Sequence, residues 1–477
     1  MKSTISRRVF VRRSATLGSL LGAQVCGFPH IRAAESSGEK LRTVLIGCGG
    51  QGVGNHVVPA AREHLVAVVD PDDARLAAAL KKVHDAEPSV DTSKIRTFTD
   101  YRKLFDTMGK DVDAIFIATP NHHHALPALM AMQLGKHVYV EKPMCHTIEE
   151  GRMMAEWARR SKVATQMGNQ GHSGEGYRRL CEYIWAGAIG KVTEVHSWTN
   201  RANGGIGPRP PVLPVPAGMH WDEWIGPAAF RDFHEDLHPH EWHGWHDFGD
   251  GSLGNMACHL LDGACWALKL TAPTSIEVED VVGGSDERYP LGTRIRYDFA
   301  ARGDLPPVKI FWYDGQRKGF PIPPPRDPNE PKYGIAREAC NRPPLAEELE
   351  KKYKIDLGSH GTLYVGDKGI MYTELYGRGV RIIPKEQQEA TPVPEKQIPR
   401  IKGSHQENFL RACRGGEPAC AAFETSSVLN EVVLLGCLAT IAGVGRKLEW
   451  DAAGMKFTNA PEMDRFLKRE NRPGWKV

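Results

Sequence analysis

Residues Leu41–Val53, Leu-Arg-Thr-Val-Leu-Ile-Gly-Cys-Gly-Gly-Gln-Gly-Val, leave a chain few ways to fold. The apolar run Val44–Ile46 runs into Gly47, Gly49, Gly50 and Gly52, and a helix-compatible segment follows. That order predicts a strand, a tight turn and a helix N-terminus. In the spacing Gly47-x-Gly49-x-x-Gly52, the first glycine permits the turn and the second lets the backbone approach a pyrophosphate. The third lets helix and strand pack closely, with the helix N-terminus facing the phosphates. A second apolar run, Leu65–Val69, ends in Asp70, eighteen residues after Gly52. A carboxylate there accepts hydrogen bonds from ribose hydroxyls and repels a 2′-phosphate, so NAD is favoured over NADP.

A chain of 477 residues predicts two to three domains. A net charge of +3 without basic blocks gives no footprint for nucleic acid. The N-terminus reads as a targeting segment. Ser6-Arg7-Arg8-Val9-Phe10-Val11 is a twin-arginine pattern, followed by the mildly apolar Ala15–Phe28 and small residues at Ala33-Ala34. Residues 1–34 are therefore expected to be a twin-arginine signal peptide, which makes the twin-arginine export machinery a partner and the periplasm the destination. That route carries folded proteins, so an exported NAD enzyme is expected to hold its cofactor tightly and restore its redox state each cycle. Beyond the N-terminus no apolar run is read as long enough to span a bilayer. The nine cysteines beyond the signal form no Cys-x-x-Cys pair and are expected to be small buried residues.

Strand and helix patterns alternate from Leu41 to Gln166. Ala114–Ala118 and His137–Val140 are continuous apolar runs, as strands buried on both faces require. The predicted fold is α/β, with an N-terminal doubly wound parallel Rossmann sheet over residues 40–165. Gly47, Asp70, Thr119 and Lys142 fall at the carboxyl ends of its strands, where ligands bind. Alternating runs at Val192–Thr199, Ser275–Val282, Thr293–Phe299 and Val308–Tyr313, with a hairpin around Gly366–Gly369, predict an α+β domain over 166–450. Its sheet is expected to be large, open and mostly antiparallel, one face covering the cofactor and the other able to support a subunit contact. Residues 451–477 are read as a C-terminal tail. Helices are expected near Glu175–Ala186, His405–Cys413 and Thr425–Ala442.

Between the two halves lies an irregular region, Arg201–Gly251, rich in Pro, Gly, Trp and His. Its segment Phe233–Asp247 holds histidines 234, 238, 240, 243 and 246 among acids and tryptophans. Two readings stand. In one it caps a substrate, with Trp242 and Trp245 stacking on a sugar ring and His246 binding hydroxyls. In the other it holds a divalent metal, but the spacing fits no defined ligand set and no metal is assigned.

Four motifs together resemble the Gfo/Idh/MocA oxidoreductases, the group of glucose–fructose oxidoreductase and inositol 2-dehydrogenase. They are Gly-Cys-Gly-Gly-Gln-Gly at 47–52, Ala-Thr-Pro-Asn-His-His-His at 118–124, Gly-Lys-His-Val-Tyr-Val-Glu-Lys-Pro at 135–143 and Gly-Ser-Leu-Gly-Asn-Met-Ala-Cys-His-Leu-Leu-Asp at 251–262. Gln166-Met-Gly-Asn-Gln170 and Leu448-Glu-Trp-Asp451 resemble an exported branch of that family. The resemblance implies NAD held by Gly47, Cys48, Gly49, Gly50, Gln51, Gly52, Asp70, Thr119, Pro120, Asn121, His124, Glu141, Lys142 and Asn169. It implies a sugar, glycoside or cyclitol substrate and a homodimer or homotetramer. Lys142 corresponds to the lysine that polarises the reacting oxygen, and His259 to the general base. Asp262 is expected to orient His259 or to bind a sugar hydroxyl. Position 255 is usually Asp in the family and is Asn255 here, which keeps the shape for substrate binding and loses the charge. The loss lowers the expected basicity of the site; in the alternative reading another carboxylate, Asp247 or Asp250, supplies the charge. Three activities stay open: an oxidoreductase on a CH–OH group, a redox-neutral NAD-dependent glycoside hydrolase or lyase, and a non-catalytic dinucleotide or sugar sensor.

Overall fold

A computed structural model describes residues 40–322 and 334–476. The targeting stretch 1–34 and residues 323–333 lie outside the described residues. Strands β1 (Arg42–Ile46), β2 (His64–Val69), β3 (Arg96–Phe98), β4 (Ala114–Ile117), β5 (His137–Val140) and β6 (Thr165–Met167) form a parallel sheet in the order β3-β2-β1-β4-β5-β6. β4 is buried at every position, as a two-sided sheet demands. β6 passes the boundary expected at 165.

A π-helical turn, Gly52–His56, leads into α1 (Val57–Arg62); α2 (Asp73–Ala86), α3 (Tyr101–Met108), α4 (Ala125–Gln133) and α5 (Ile148–Ser161) follow. The sequence reading passed over α5, although Thr147 and Glu150 form a capping box that fixes its start. One sheet face is covered by α3, α4 and α5. On the other, Phe409 and Leu410 join side chains of α1 and α2, so a later helix completes the first domain's packing.

The second domain continues with α6 (Glu175–Trp185), β7 (Val192–Thr199), α7 (Trp221–Ile225), α8 (Gly251–Leu260), α9 (Asp262–Ala267), β8 (Ser275–Val282), β9 (Gly292–Phe299) and β10 (Val308–Gly315). Then come α10 (Pro344–Tyr353), β11 (His360–Gly366), β12 (Gly369–Thr373), β13 (Arg381–Ile383), α11 (Lys385–Ala390), α12 (His405–Cys413), α13 (Phe423–Ala442), β14 (Leu448–Asp451) and β15 (Lys456–Phe457). The nine-stranded sheet runs β13-β12-β11-β7-β10-β9-β8-β14-β15 and is antiparallel except where β7 pairs with β10. Gly366 pairs with Gly369 in the expected hairpin. Ile276, Val278, Ile295 and Tyr297 bury one face, while the other carries Arg296–Glu277 and Arg294–Glu279 ion pairs, each at 2.8 Å.

α13 corrects one expectation. It is long and apolar enough to cross a membrane, yet 61% of its most apolar window is buried inside the fold. A helix apolar all round is explained by a core position. Beyond β15 the chain returns to the first domain. Glu149 donates its N–H to Leu467 O at 3.0 Å, and Arg102 donates to Gly474 O at 2.9 Å. Trp475 ends 2% exposed against Tyr101.

Candidate active site

The glycine turn is shaped for close approach. Gly47 has φ +92°, and a Cβ there would stand 2.5 Å from the Ala118 carbonyl; one at Gly52 would stand 1.9 Å from Gly47 O. Gly50 faces open space, with nothing within 4 Å of its Cβ position. A Cβ at Gly49 would meet the Arg75 guanidinium at 2.3 Å, so that cation lies over the turn. Asp70 is 4% exposed. Its carboxylate accepts from Cys48 N at 2.7 Å and Asp72 N at 2.9 Å. Burial pushes its pKa up to about 6. A carboxylate has about four acceptor sites, so capacity remains for a ribose. Thr119 Oγ1 and Asn169 Oδ1 are buried without a hydrogen-bond partner among the described residues. The glycine cradle and these two orphaned oxygens fit a dinucleotide.

Other expected cofactor residues act at one remove. The Cys48 Sγ lies 3.6 Å from Val69 O, and burial pushes its thiol well up, which makes it inert packing. Gln51 is exposed and bonds Asn55. Asn121 donates to Asp250 Oδ2 at 2.7 Å. His124 Nδ1 lies 2.6 Å from Pro143 O and its Nε2 2.8 Å from Thr119 O. That imidazole ties the loop carrying Thr119 and Pro120 to the loop carrying Lys142. Glu141 pairs with His56 Nε2 at 2.8 Å. Burial raises the Glu141 carboxyl, but the His56 hydrogen bond and charge and the Lys142 charge outweigh it and hold it below its ordinary value.

The candidate reactive centre joins β5 to α8. Lys142 Nζ donates to Asn255 O and Asn255 Oδ1, both at 2.8 Å. The Asn255 amide donates in turn to Asn203 Oδ1 at 2.9 Å. Burial lowers the Lys142 pKa, opposed by Glu141. One turn beyond Asn255, His259 is 4% exposed and its Nδ1 has no hydrogen-bond partner among the described residues. Burial and the Lys142 charge hold it well below the usual imidazole value, so it is a neutral base at neutral pH. The Tyr376 ring stands edge-on to it, 4.8 Å between centroids.

Several expectations need correcting. Asp262 does not orient His259; it accepts from His172 Nδ1 at 2.9 and 3.0 Å, and His172 stacks on Trp266. Asp247 is paired with Arg231 at 2.5 Å, and Asp250 is held by Asn121 and, at 3.2 Å, by His146. Neither carboxylate stands in for the missing charge at 255. Trp245 is fully buried, bonded to Asp236 O at 2.8 Å and flanked by Arg231 and Arg288, so no sugar can stack on it. His246 packs on Tyr289 and lines a different cavity, with His146, Asp250 and Arg469. From the histidine-rich loop it is His243, with Trp242 stacked on it at 3.6 Å, that approaches the centre; burial first, then the His240 and Lys142 charges, hold its pKa well below the usual imidazole value. Among the described residues no group of three or more His, Cys, Asp or Glu side chains is arranged to hold a metal.

The irregular region also crosses the first domain. Asp73 N donates to Gly218 O at 3.0 Å and His220 N to Pro71 O at 2.8 Å. His238 Nε2 lies 3.0 Å from Asp72 Oδ2, and Arg75 donates to Pro239 O at 3.2 Å. Beside these contacts Asp70, Arg75, Tyr101, Thr119, Trp224 and Trp475 line one pocket at the end of β1 and β2. Sequence reasoning missed Arg75, Asn203, Trp224, Tyr376 and Trp475 as site residues.

A glycine-turned parallel sheet with a lysine–histidine centre over a second, open sheet defines a two-domain dinucleotide-binding oxidoreductase fold. Comparison with known proteins makes this specific. Residues 41–169 match the oxidoreductase-family NAD-binding Rossmann fold of Gfo/Idh/MocA, and residues 191–301 match the C-terminal α/β domain of the same family. The chain belongs to the Gfo/Idh/MocA oxidoreductase family. It is 25% identical over 192 residues to the levoglucosan dehydrogenase of Pseudarthrobacter phenanthrenivorans, covering 38% of this chain and 40% of that protein. It is 35% identical over 114 residues to glycosyl hydrolase family 109 protein 2 of Shewanella, covering 24% and 25%. These matches thus span less than half of either relative. Among solved structures, the WlbA dehydrogenase of Bordetella pertussis, complexed with NADH and UDP-GlcNAcA, aligns with TM-score 0.54 at 16% identity, over 87% of this chain and 99% of that one. The aldose-aldose oxidoreductase of Caulobacter crescentus aligns with TM-score 0.53 at 16% identity, over 86% and 100%. At such identity the likeness is one of fold.

Proposed function

We propose that the chain is an NAD-dependent oxidoreductase acting on a hydroxyl of a sugar, glycoside or cyclitol, exported by the twin-arginine route to the periplasm and retaining its NAD through turnover. The observation that carries this is the Lys142–Asn255 contact beside a neutral, partly orphaned His259 on the same helix. NAD, when bound, supplies the hydride acceptor. The glycine turn, Asp70, Thr119 and Asn169 would hold it. Lys142 Nζ stabilises negative charge on the substrate oxygen, and the neutral His259 ring takes the hydroxyl proton. Asn255 fixes the ammonium without neutralising it. Asp70 at the end of β2 favours NAD over NADP. The segment 218–239 and Trp475, laid over the pocket beside Asp70, support retention. The charged open face of the nine-stranded sheet is where a homodimer or homotetramer would form.

Retention favours a second reading, a redox-neutral hydrolase or lyase that splits a glycoside. A cofactor that never leaves is most easily restored by the same sugar within one cycle. The test is to purify the mature protein from the periplasm, denature it, assay released nucleotide, and screen levoglucosan, myo-inositol, free sugars and methyl glycosides. Stoichiometric NAD with an oxidised sugar, dependent on a second sugar as acceptor, supports the oxidoreductase. Stoichiometric NAD with cleaved glycoside and no net reduction supports the second reading. Lys142→Ala leaving every activity unchanged would return the chain to a sensor role.

A further inference from the structure

We infer that Tyr376 is a substrate-positioning residue: its phenol hydroxyl binds a sugar hydroxyl neighbouring the one that His259 deprotonates, and so selects which hydroxyl reacts. The inference rests on the oxidoreductase reading above.

Tyr376 sits in the turn Leu375–Gly377 between β12 and β13, with φ 63° and ψ 20°. A bulky side chain in this left-handed region is uncommon and persists where the surroundings impose it, often at functional sites. Here the surroundings are specific. A Cβ at Gly171 would stand 3.0 Å from Tyr376 Cα, and one at Gly176 would stand 1.8 Å from Gly377 O. A Cβ at Gly377 would meet the Tyr177 ring at 2.6 Å. The glycines of Gly171-His-Ser-Gly-Glu-Gly176 therefore admit the turn to a depth that other residues would forbid. That depth delivers the Tyr376 ring against His259, 4.8 Å between centroids at 73°.

The ring packs on His259 and lies 5.7 Å from the Arg378 guanidinium, but its hydroxyl is not spent. Tyr376 is only partly buried, and its hydroxyl has no hydrogen-bond partner among the described residues. Glycine would adopt this backbone without strain. What a tyrosine adds is an aromatic edge on the base and a free phenol beside it, near the charges of Glu141 and Arg201. A phenol both donates and accepts, which suits a sugar hydroxyl.

The test uses the NAD-loaded protein, the sugar it turns over fastest, and that sugar's single-deoxy analogues. Tyr376→Phe keeps the ring and removes the hydroxyl. We expect a ten- to hundredfold loss in kcat/KM, carried mainly by KM, with NAD content and melting temperature unchanged. One deoxy analogue should react equally poorly with both proteins, because the hydroxyl that Tyr376 holds is already gone. Gly171→Ala should reproduce the rise in KM by pushing the turn outward. If Tyr376→Phe matches the wild type on every analogue while His259→Ala is inactive, the role of Tyr376 is refuted and the reading of the centre stands. If no sugar is turned over, or His259→Ala is fully active, the reading fails and takes this inference with it.

Discussion

Lys142 holds Asn255 by two oxygens at once, one from the main chain and one from the side chain, each 2.8 Å from Nζ. The contact spans two domains and takes one of the two lone pairs of the Asn255 side-chain oxygen, while the amide donates to Asn203. Asn255→Asp tests what the charge would do. A carboxylate would raise the Lys142 pKa, and being one helical turn from His259 it would raise that pKa too. Both limbs of the kcat/KM profile should move to higher pH, the acid limb because His259 would be protonated sooner. A profile unmoved on both sides would mean that the two groups do not share a field with position 255.

The wild-type acid limb carries its own prediction. Among the described residues His259 has no carboxylate partner, and its buried ring beside Lys142 resists protonation. kcat/KM should therefore stay level through the ordinary imidazole range, near pH 6.5, and fall only well below it. A limb centred near 6.5 would show that water or substrate reaches the ring more freely than this packing allows.

Stability should respond to acid earlier than carboxylate titration would cause. Burial holds His234, His238, His246, His360 and His405 at about 4 and His123 at about 3. Between these values and the unfolded value near 6.5, the unfolded chain binds protons that the native chain refuses, so stability falls as pH falls. Each such group contributes at most about 1.4 kcal/mol per pH unit. Asp70 and Asp314, raised to about 6 by burial, act in the opposite direction but are fewer. The melting temperature should drop steadily from pH 6.5 to 4.5; a flat curve there would contradict the burial of these rings.

Local signals in the sequence sufficed where one segment decides its own fate. β4 and β5 are continuous apolar runs because both their faces are covered, and the glycine turn needs only its neighbour strand to be recognised. The site failed to read wherever a partner came from afar. Asp262 is one turn from His259, so helical spacing suggests that pair, yet His172 from another segment takes the carboxylate. Trp245 looks like a ligand-stacking residue in a polar loop, and Arg231 and Arg288 draw it into the interior. Tyr376 left one oblique trace, the glycines at 171 and 176, whose reason lies in a turn some two hundred residues later. The capping box before α5, Thr147 with Glu150 three residues on, is a local signal of the same kind as the glycine turn.

Trp475 closes the pocket beside Asp70 from the far end of the chain. The Arg102 guanidinium lies 3.6 Å from its ring centroid, and Tyr101 stands 5.6 Å away. With Trp224 it is the aromatic cover of that pocket. If the dinucleotide is retained by this cover, Trp475→Ala should weaken NAD binding about ten- to hundredfold, or about 1.4–2.8 kcal/mol. Truncating a buried aromatic also costs about 3–5 kcal/mol of fold stability, so loss of NAD alone is ambiguous. Trp475→Phe separates the two effects, because it keeps the ring packing on Tyr101 and shortens only the cover. The measurement is bound NAD per chain after gel filtration, read beside the melting temperature of each variant. Full NAD in a Trp475→Ala protein that still melts cooperatively would remove the C-terminal segment from the retention mechanism and leave it to the segment 218–239.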